Sequence, residues 1–162
     1  MKTAIVYYSL TENTKLVAEK IAEKLKNTDI IRIVPEKSYP DKGARKFLWG
    51  GKSAVMGETP KLKPYNFDVE KYDRIIIGTP VWAITFAPPI RTFVKENIDI
   101  NKKKIVVVTC FSGGGADKAI EKFKKLTGIE KLEAELILVD PKDKPKAEND
   151  DKIAEFCTAL SL

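Results

Sequence analysis

AIVYYSLTENTKLVAEKIAEKL, residues 4–25, is the stretch whose reading decides the fold. Ala4 to Tyr8 is an unbroken apolar run, the pattern of a strand covered on both faces. Thr14, Val17, Ala18, Ile21, Ala22 and Leu25 then recur at helical spacing. The chain between them has no Gly or Pro to make the turn, yet six hydroxyl or amide side chains lie within residues 7–14. A helix N-terminus is satisfied by one or two such groups. The surplus is either ordinary loop polarity or a set of donors for a ligand.

Outward from this unit the pattern repeats. Ile30 to Val34 is strand-like, and residues 74–77 form another apolar run ending at Gly78. Pro88 and Pro89 suit a first helical turn and precede Ile90, Phe93 and Val94 on one face. Ile105 to Thr109 is β-branched and uncharged, and Gly113 to Gly115 breaks it. Ala119, Ile120, Phe123 and Leu126 form the next helical stripe. Leu136 to Val139 is a fifth strand, and Ile153, Phe156, Cys157 and Leu160 mark a final helix. Strands apolar on both faces that alternate with helices call for an α/β fold, a parallel sheet covered on both sides. Residues 35–72 are irregular around Phe47-Leu48-Trp49-Gly50-Gly51 and hold a helix of undefined limits. The length predicts one domain over residues 1–162.

Composition narrows the chemistry. The hydrophobic share is 43% and the charged share 32%, as in a folded soluble chain. No apolar run approaches a bilayer span, so membrane insertion is not expected, nor is a signal peptide. Cys110 and Cys157 fit no metal or redox spacing and suit a reducing cytoplasm. There is no histidine, which removes the commonest general base and most transition-metal sites. No metal site is expected. The net charge is +6, and residues 36–65 carry seven Lys/Arg against three Asp/Glu. No lysine cluster is interleaved with aromatics, so nucleic acid is not the expected partner.

In an open α/β sheet, ligands sit beyond the C-terminal ends of the strands. The first such end is Ser9-Leu10-Thr11-Glu12-Asn13-Thr14, at a helix N-terminus where free N–H groups favour an anion. Its bland reading is an N-cap by Thr11. The second end, Thr79-Pro80-Val81-Trp82-Ala83, places an indole beside proline, as core or as a surface for a planar ring. The third, Cys110-Phe111-Ser112-Gly113-Gly114, leads into Gly115 and lets backbone approach a ligand, or merely turns the chain. A G-x-x-x-x-G-K-[ST] loop and a G-x-G-x-x-G after the first strand are both missing, which excludes the common nucleotide readers. The acidic pair of a phosphoacceptor domain is missing as well.

Together, Ser9-x-Thr11-x-Asn13-Thr14, Gly78-Thr79-Pro80-Val81-Trp82 and the Gly-rich turn resemble the flavodoxin family across essentially the whole chain. The resemblance implies a flavodoxin-like three-layer sandwich with a five-stranded parallel sheet of order 2-1-3-4-5 and helices on both faces, of the short-chain type. Flavodoxin, with FMN in its crevice, is a known instance of a ligand held where the strand order reverses. The resemblance further implies one non-covalent FMN, its phosphate held by residues 9–14. Residues 79–83 and 110–114 would enclose the isoalloxazine, with Trp82 stacked on it. The surplus hydroxyls would then stand in for the cation of most phosphate sites.

Two departures stand out. The family usually has Gly where this chain has Glu12, which is expected to face solvent. Flavodoxins are typically acidic, whereas this chain is basic, so its redox partner proteins are expected to dock through an acidic face. The implied role is electron transfer between redox partners. The alternative is an FMN-dependent NAD(P)H oxidoreductase of quinone-reductase type, for which Trp49-Gly50-Gly51 would line a substrate pocket or else form a packed surface turn. The carrier is favoured because the sequence offers no second nucleotide site and no proton donor near the loops.

Overall fold

The computed structural model describes residues 1–40 and 43–161, and of residues 43–47 the backbone only. The Asp41 and Lys42 part of the basic segment therefore lies outside the described residues, as do the side chains of Arg45, Lys46 and Phe47.

Five parallel strands run in the order β2-β1-β3-β5-β6, where β1 is Thr3–Tyr7, β2 Thr28–Arg32, β3 Arg74–Trp82, β5 Lys104–Phe111 and β6 Ala134–Val139. A short β4, Thr85–Phe86, folds back antiparallel on the end of β3. Counted along the chain, the five parallel strands have the expected 2-1-3-4-5 order. The central strands carry the β-branched runs, and their period of two divides the core. Ile5, Ile76, Val106 and Val108 face α1 (Asn13–Lys24) and α5 (Ala147–Ser161). Val6, Ile75, Ile77 and Val107 face α3 (Pro88–Glu96) and α4 (Ala116–Thr127), where Phe93 and Phe123 are fully buried.

Two expectations need correction, and a third gains its limits. β2 begins and ends two residues earlier than Ile30–Val34, and only its Ile31 is buried, because it is an edge strand with one open face. Residues 79–82 are not loop: β3 continues through Thr79, Pro80, Val81 and Trp82. The helix in the irregular segment is α2, Gly43–Val55.

Parallel order 2-1-3 reverses direction at β1/β3, so the connections after β1 and β3 diverge and leave a crevice. The Thr79 hydroxyl fixes one wall of it, accepting from Ala87 N–H at 3.0 Å and donating to Pro80 O at 2.9 Å. That pins the start of α3 to the end of β3. No helix among the described residues is long and apolar enough to cross a membrane.

Candidate functional site

A cavity of about 420 Å³ opens at the C-terminal ends of β1, β3 and β5. Leu10, Thr11 and Asn13 form one wall, and Pro80, Val81, Trp82 and Ala83 a second. Cys110, Phe111, Ser112, Gly113 and Gly114 form a third. Four residues of the expected set are not on its walls. Ser9, Thr14 and Thr79 are buried beneath it, and Glu12 points away to Arg32. Gly51, Ile84, Asp140 and Asp143 line the cavity and were not expected there.

The β1–α1 loop leaves a row of backbone donors free. Ser9 Oγ accepts from Lys15 N–H at 3.3 Å and Glu12 O accepts from Leu16 N–H at 3.0 Å. The N–H groups of Leu10 through Thr14 find no acceptor among the described residues. These free donors sit at the positive end of α1, whose first turn holds no acid. Thr11 does not cap the helix: the N-cap position is Glu12, without a side-chain cap, and Thr11 Oγ1 instead accepts from Asn13 Nδ2 at 3.0 Å. Thr14 is fully buried and its hydroxyl has no hydrogen-bond partner.

Glu12 explains the family's glycine. It has φ 68°, the left-handed region that costs an ordinary residue about 1–2 kcal/mol. Glu12 does not simply face solvent: its carboxylate receives both Arg32 guanidinium nitrogens, at 2.6 and 3.4 Å, and meets Lys15 Nζ at 3.3 Å. Partial burial alone would raise its pKa, but the bonds to Arg32 and Lys15 hold it below the ordinary carboxylate value. Arg32 also donates to Ser9 O at 3.1 Å, so the pair ties β2 to the loop.

A second partner of the loop comes from the far end of the chain. Asn13 Nδ2 donates to Asp143 Oδ2 at 2.7 Å, and Asn13 Oδ1 accepts from Lys142 N–H at 2.9 Å. Lys142 Nζ reaches Thr11 O at 3.2 Å. The loop therefore has a lysine beside it after all, offset by the Asp143 carboxylate. Asp140, nearby, accepts from the Ser112 hydroxyl and pairs with Lys144 Nζ at 3.0 Å.

The β3–β4 hairpin turns through Ala83 and Ile84, both with positive φ, 46° and 56°. Such two-residue turns normally take Asn-Gly, and a β-branched residue there is strained. Ile84 is held against Gly115: a Cβ on that glycine would lie 2.6 Å from Ile84 Cγ2.

Trp82 stands edge-on to Tyr8 and Tyr39, with ring centroids 5.6 and 5.1 Å away. Gly50 of α2 lies against its six-membered ring, where a Cβ would sit 3.1–3.3 Å from three ring atoms. Gly50 thus carries a helix-interior cost of about 1 kcal/mol in exchange for close approach to Trp82, whereas a Cβ on Gly51 would make only ordinary contact with Ala83, at 3.9 Å. Burial pushes the Cys110 thiol up to about 12, so it is a neutral wall and not a nucleophile. Among the described residues no group of three or more His, Cys, Asp or Glu could hold a metal ion.

A doubly wound parallel α/β sheet with its crevice at the β1/β3 reversal and free N–H groups at the first helix is the flavodoxin-like architecture. A sequence model described as Flavodoxin matches residues 2–147, and the chain belongs to the flavodoxin family. Among solved structures it is similar to a flavoprotein in complex with FMN from Lactobacillus acidophilus, at 24% identity and TM-score 0.71, over 88% of this chain and 95% of that one. A candidate flavoprotein from Bacteroides eggerthii matches at 17% identity and TM-score 0.76, over 99% and 98%. Oxidised flavodoxin 1 from Bacillus cereus matches at 15% identity and TM-score 0.59, over 99% and 97%. No curated protein matches the sequence.

Proposed function

We propose that this protein binds one FMN non-covalently in the 420 Å³ cavity and carries electrons between redox partner proteins in the cytoplasm. The observation that carries the reading is the set of N–H groups at Leu10 to Thr14, without acceptors, at one end of a cavity bounded at the other by Trp82. The residues fit the cofactor: the loop N–H donors without acceptors suit a phosphate, and the walls from Pro80 to Ala83 and Cys110 to Gly114 suit a planar ring. FMN, when bound, supplies one- or two-electron chemistry. The chain's own part is to bind and orient it and to exclude water. With no histidine in the chain and Cys110 neutral, neither an imidazole nor a thiolate is at hand on the walls for proton transfer, which favours the carrier.

The test is flavin titration. FMN should bind well, with quenching of its fluorescence, and riboflavin, lacking the phosphate, should bind far more weakly. Thr11→Ala should weaken FMN by about 1–3 kcal/mol, the range for a hydrogen bond to a charged group. Equal affinity for the two flavins refutes the phosphate assignment. Asp143→Asn should tighten FMN about five- to tenfold and leave riboflavin unchanged, because one carboxylate at ~4 Å opposes a phosphate charge by about 1 kcal/mol in water-like surroundings. A matching gain for both flavins would mean that Asp143 acts on loop shape and not on charge.

The alternative, an FMN-dependent NAD(P)H oxidoreductase, draws on α2, whose Gly51 is on the cavity wall. Anaerobic addition of NADH or NADPH separates the two: rapid bleaching of the flavin favours the enzyme, and a stable yellow colour the carrier.

A further inference from the structure

α2 turns two different faces to its surroundings. Gly50, Ser53 and Ala54 are buried against the β3–β4 hairpin and Tyr39. Leu48, Trp49, Val55 and Met56 lie on the other side, 69, 53, 71 and 66% exposed. Their i, i+7 spacing makes one apolar stripe with Lys52 in its middle. Ile84, at the tip of the strained hairpin turn, is also exposed and lines the cavity, and its neighbour Ala83 lies against Gly51 of α2. Four large apolar side chains on one exposed helical face exceed what single scattered surface residues explain.

The charges along the stripe have one sign. α2 contains no acid, and the first one after it, Glu58, turns inward to accept from the Ser53 hydroxyl at 2.5 Å. At the far end, Gly57 lies 3.9 Å from the Arg91 guanidinium by its Cβ position, and that guanidinium rests 4.7 Å over the Phe86 ring. Arg91 Nε is buried without a hydrogen-bond partner, and neither Arg91 nor Lys52 meets a carboxylate among the described residues. A partly buried cation without a counter-charge is costly, and a partner carboxylate would offset that cost. From Leu48 to Val55 the helix rises about 10 Å, and Met56 and Gly57 follow directly, so the whole strip lies within one small docking footprint.

We infer that the outer face of α2, from the Ala83–Ile84 turn to Arg91, is the docking surface for an acidic redox protein, which buries the Leu48–Met56 stripe and places carboxylates on Lys52 and Arg91. The inference rests on the carrier reading above and adds the surface and the chemistry of the partner. A second copy of this chain fits worse: it would bring Lys52 and Arg91 against cations of the same kind, on chains that each carry +6.

The experiment titrates the FMN-loaded protein by calorimetry with two small electron carriers of opposite charge, acidic rubredoxin and basic cytochrome c. Flavin occupancy is read beforehand from flavin fluorescence, and the flavin-free protein is titrated in parallel. Failure to hold FMN therefore refutes the proposed function without bearing on the docking face. Rubredoxin should bind, cytochrome c should not, and the affinity should fall several-fold as salt rises from about 20 to 300 mM. Lys52→Glu and the exposed double variant Val55→Ser/Met56→Ser should each weaken rubredoxin at least about tenfold while leaving FMN affinity unchanged. Binding of cytochrome c as tight as that of rubredoxin, binding of neither, or rubredoxin affinity unmoved by the variants overturns the inference. So does a dimer in sedimentation that Trp49→Ser dissolves, since the second copy would then be the occupant.

Discussion

Gly115→Ala should lower the unfolding free energy by about 3 kcal/mol, read from urea unfolding, and should weaken flavin binding with it. Two costs add. At φ 84° an alanine gives up about 1–2 kcal/mol of backbone preference. Its Cβ would also lie 2.6, 3.0 and 3.1 Å from Ile84 Cγ2, Cβ and Cα. The last of these is backbone in a turn that is itself left-handed, so the neighbour cannot yield by a rotamer change. The hairpin must move, and it carries the Ala83 and Ile84 side of the cavity. Ile84→Gly separates the two costs. Combined with Gly115→Ala it removes the 2.6 and 3.0 Å contacts and should recover most of the steric part, leaving the backbone part and the 3.1 Å approach to the Cα of residue 84. If the double variant is as unstable as the single one, the Ile84 contact is not the cause.

Glu133→Ala should cost about 3–5 kcal/mol, the range for stranding a buried partner of an ion pair. Arg74, nearly buried at the start of β3, donates Nε and Nη2 to Glu133 at 2.6 and 2.7 Å, and Nη2 also reaches Leu160 O at 2.9 Å. The pair thus joins the central strand to the β6 approach and the end of α5. The bonds to Arg74, against some burial, hold the Glu133 carboxyl below its ordinary pKa, with Lys104 adding to the effect. A depressed folded pKa means that this stabilisation is complete above the unfolded value near ~4.3 and is lost as pH falls through the lower folded value. Stability of the wild type should therefore decline below about pH 4 more steeply than that of Glu133→Gln, in which this group no longer titrates. Parallel acid limbs for the two proteins would show that other carboxylates govern acid unfolding.

Much of the fold was legible because its cause is local. The β-branched runs at 75–77 and 105–108 can only be central strands, and the helical stripes between them leave a parallel sheet as the one arrangement that covers both faces. The three strand ends could be read the same way, and Leu10, Thr11, Asn13, Pro80 to Ala83 and Cys110 to Gly114 do meet in one cavity. The β3–β4 hairpin was not legible. Its Ala83-Ile84 turn lacks the Asn-Gly signal, and only the void above Gly115 lets an isoleucine take that conformation. The loss of the expected Thr11 cap is likewise a matter of loop path: Glu12 takes the N-cap position, and Ser9, six residues before Lys15, reaches that N–H only because the loop folds back.

Sequence by itself determined which residue types were on hand: the surplus of small donors after β1, the lack of histidine and the +6 balance. Tertiary structure alone decided where the charges act. Asp143 and Asn13 are 130 residues apart, and the turn after β6 sets Asp140 and Asp143 on the cavity wall of a basic protein, while Lys52 and Arg91 stand without carboxylates beside α2. The physical reason is that a net charge is a sum over the chain, whereas Coulomb interactions fall with distance and are screened beyond about 10 Å, so only neighbours brought together by the fold count.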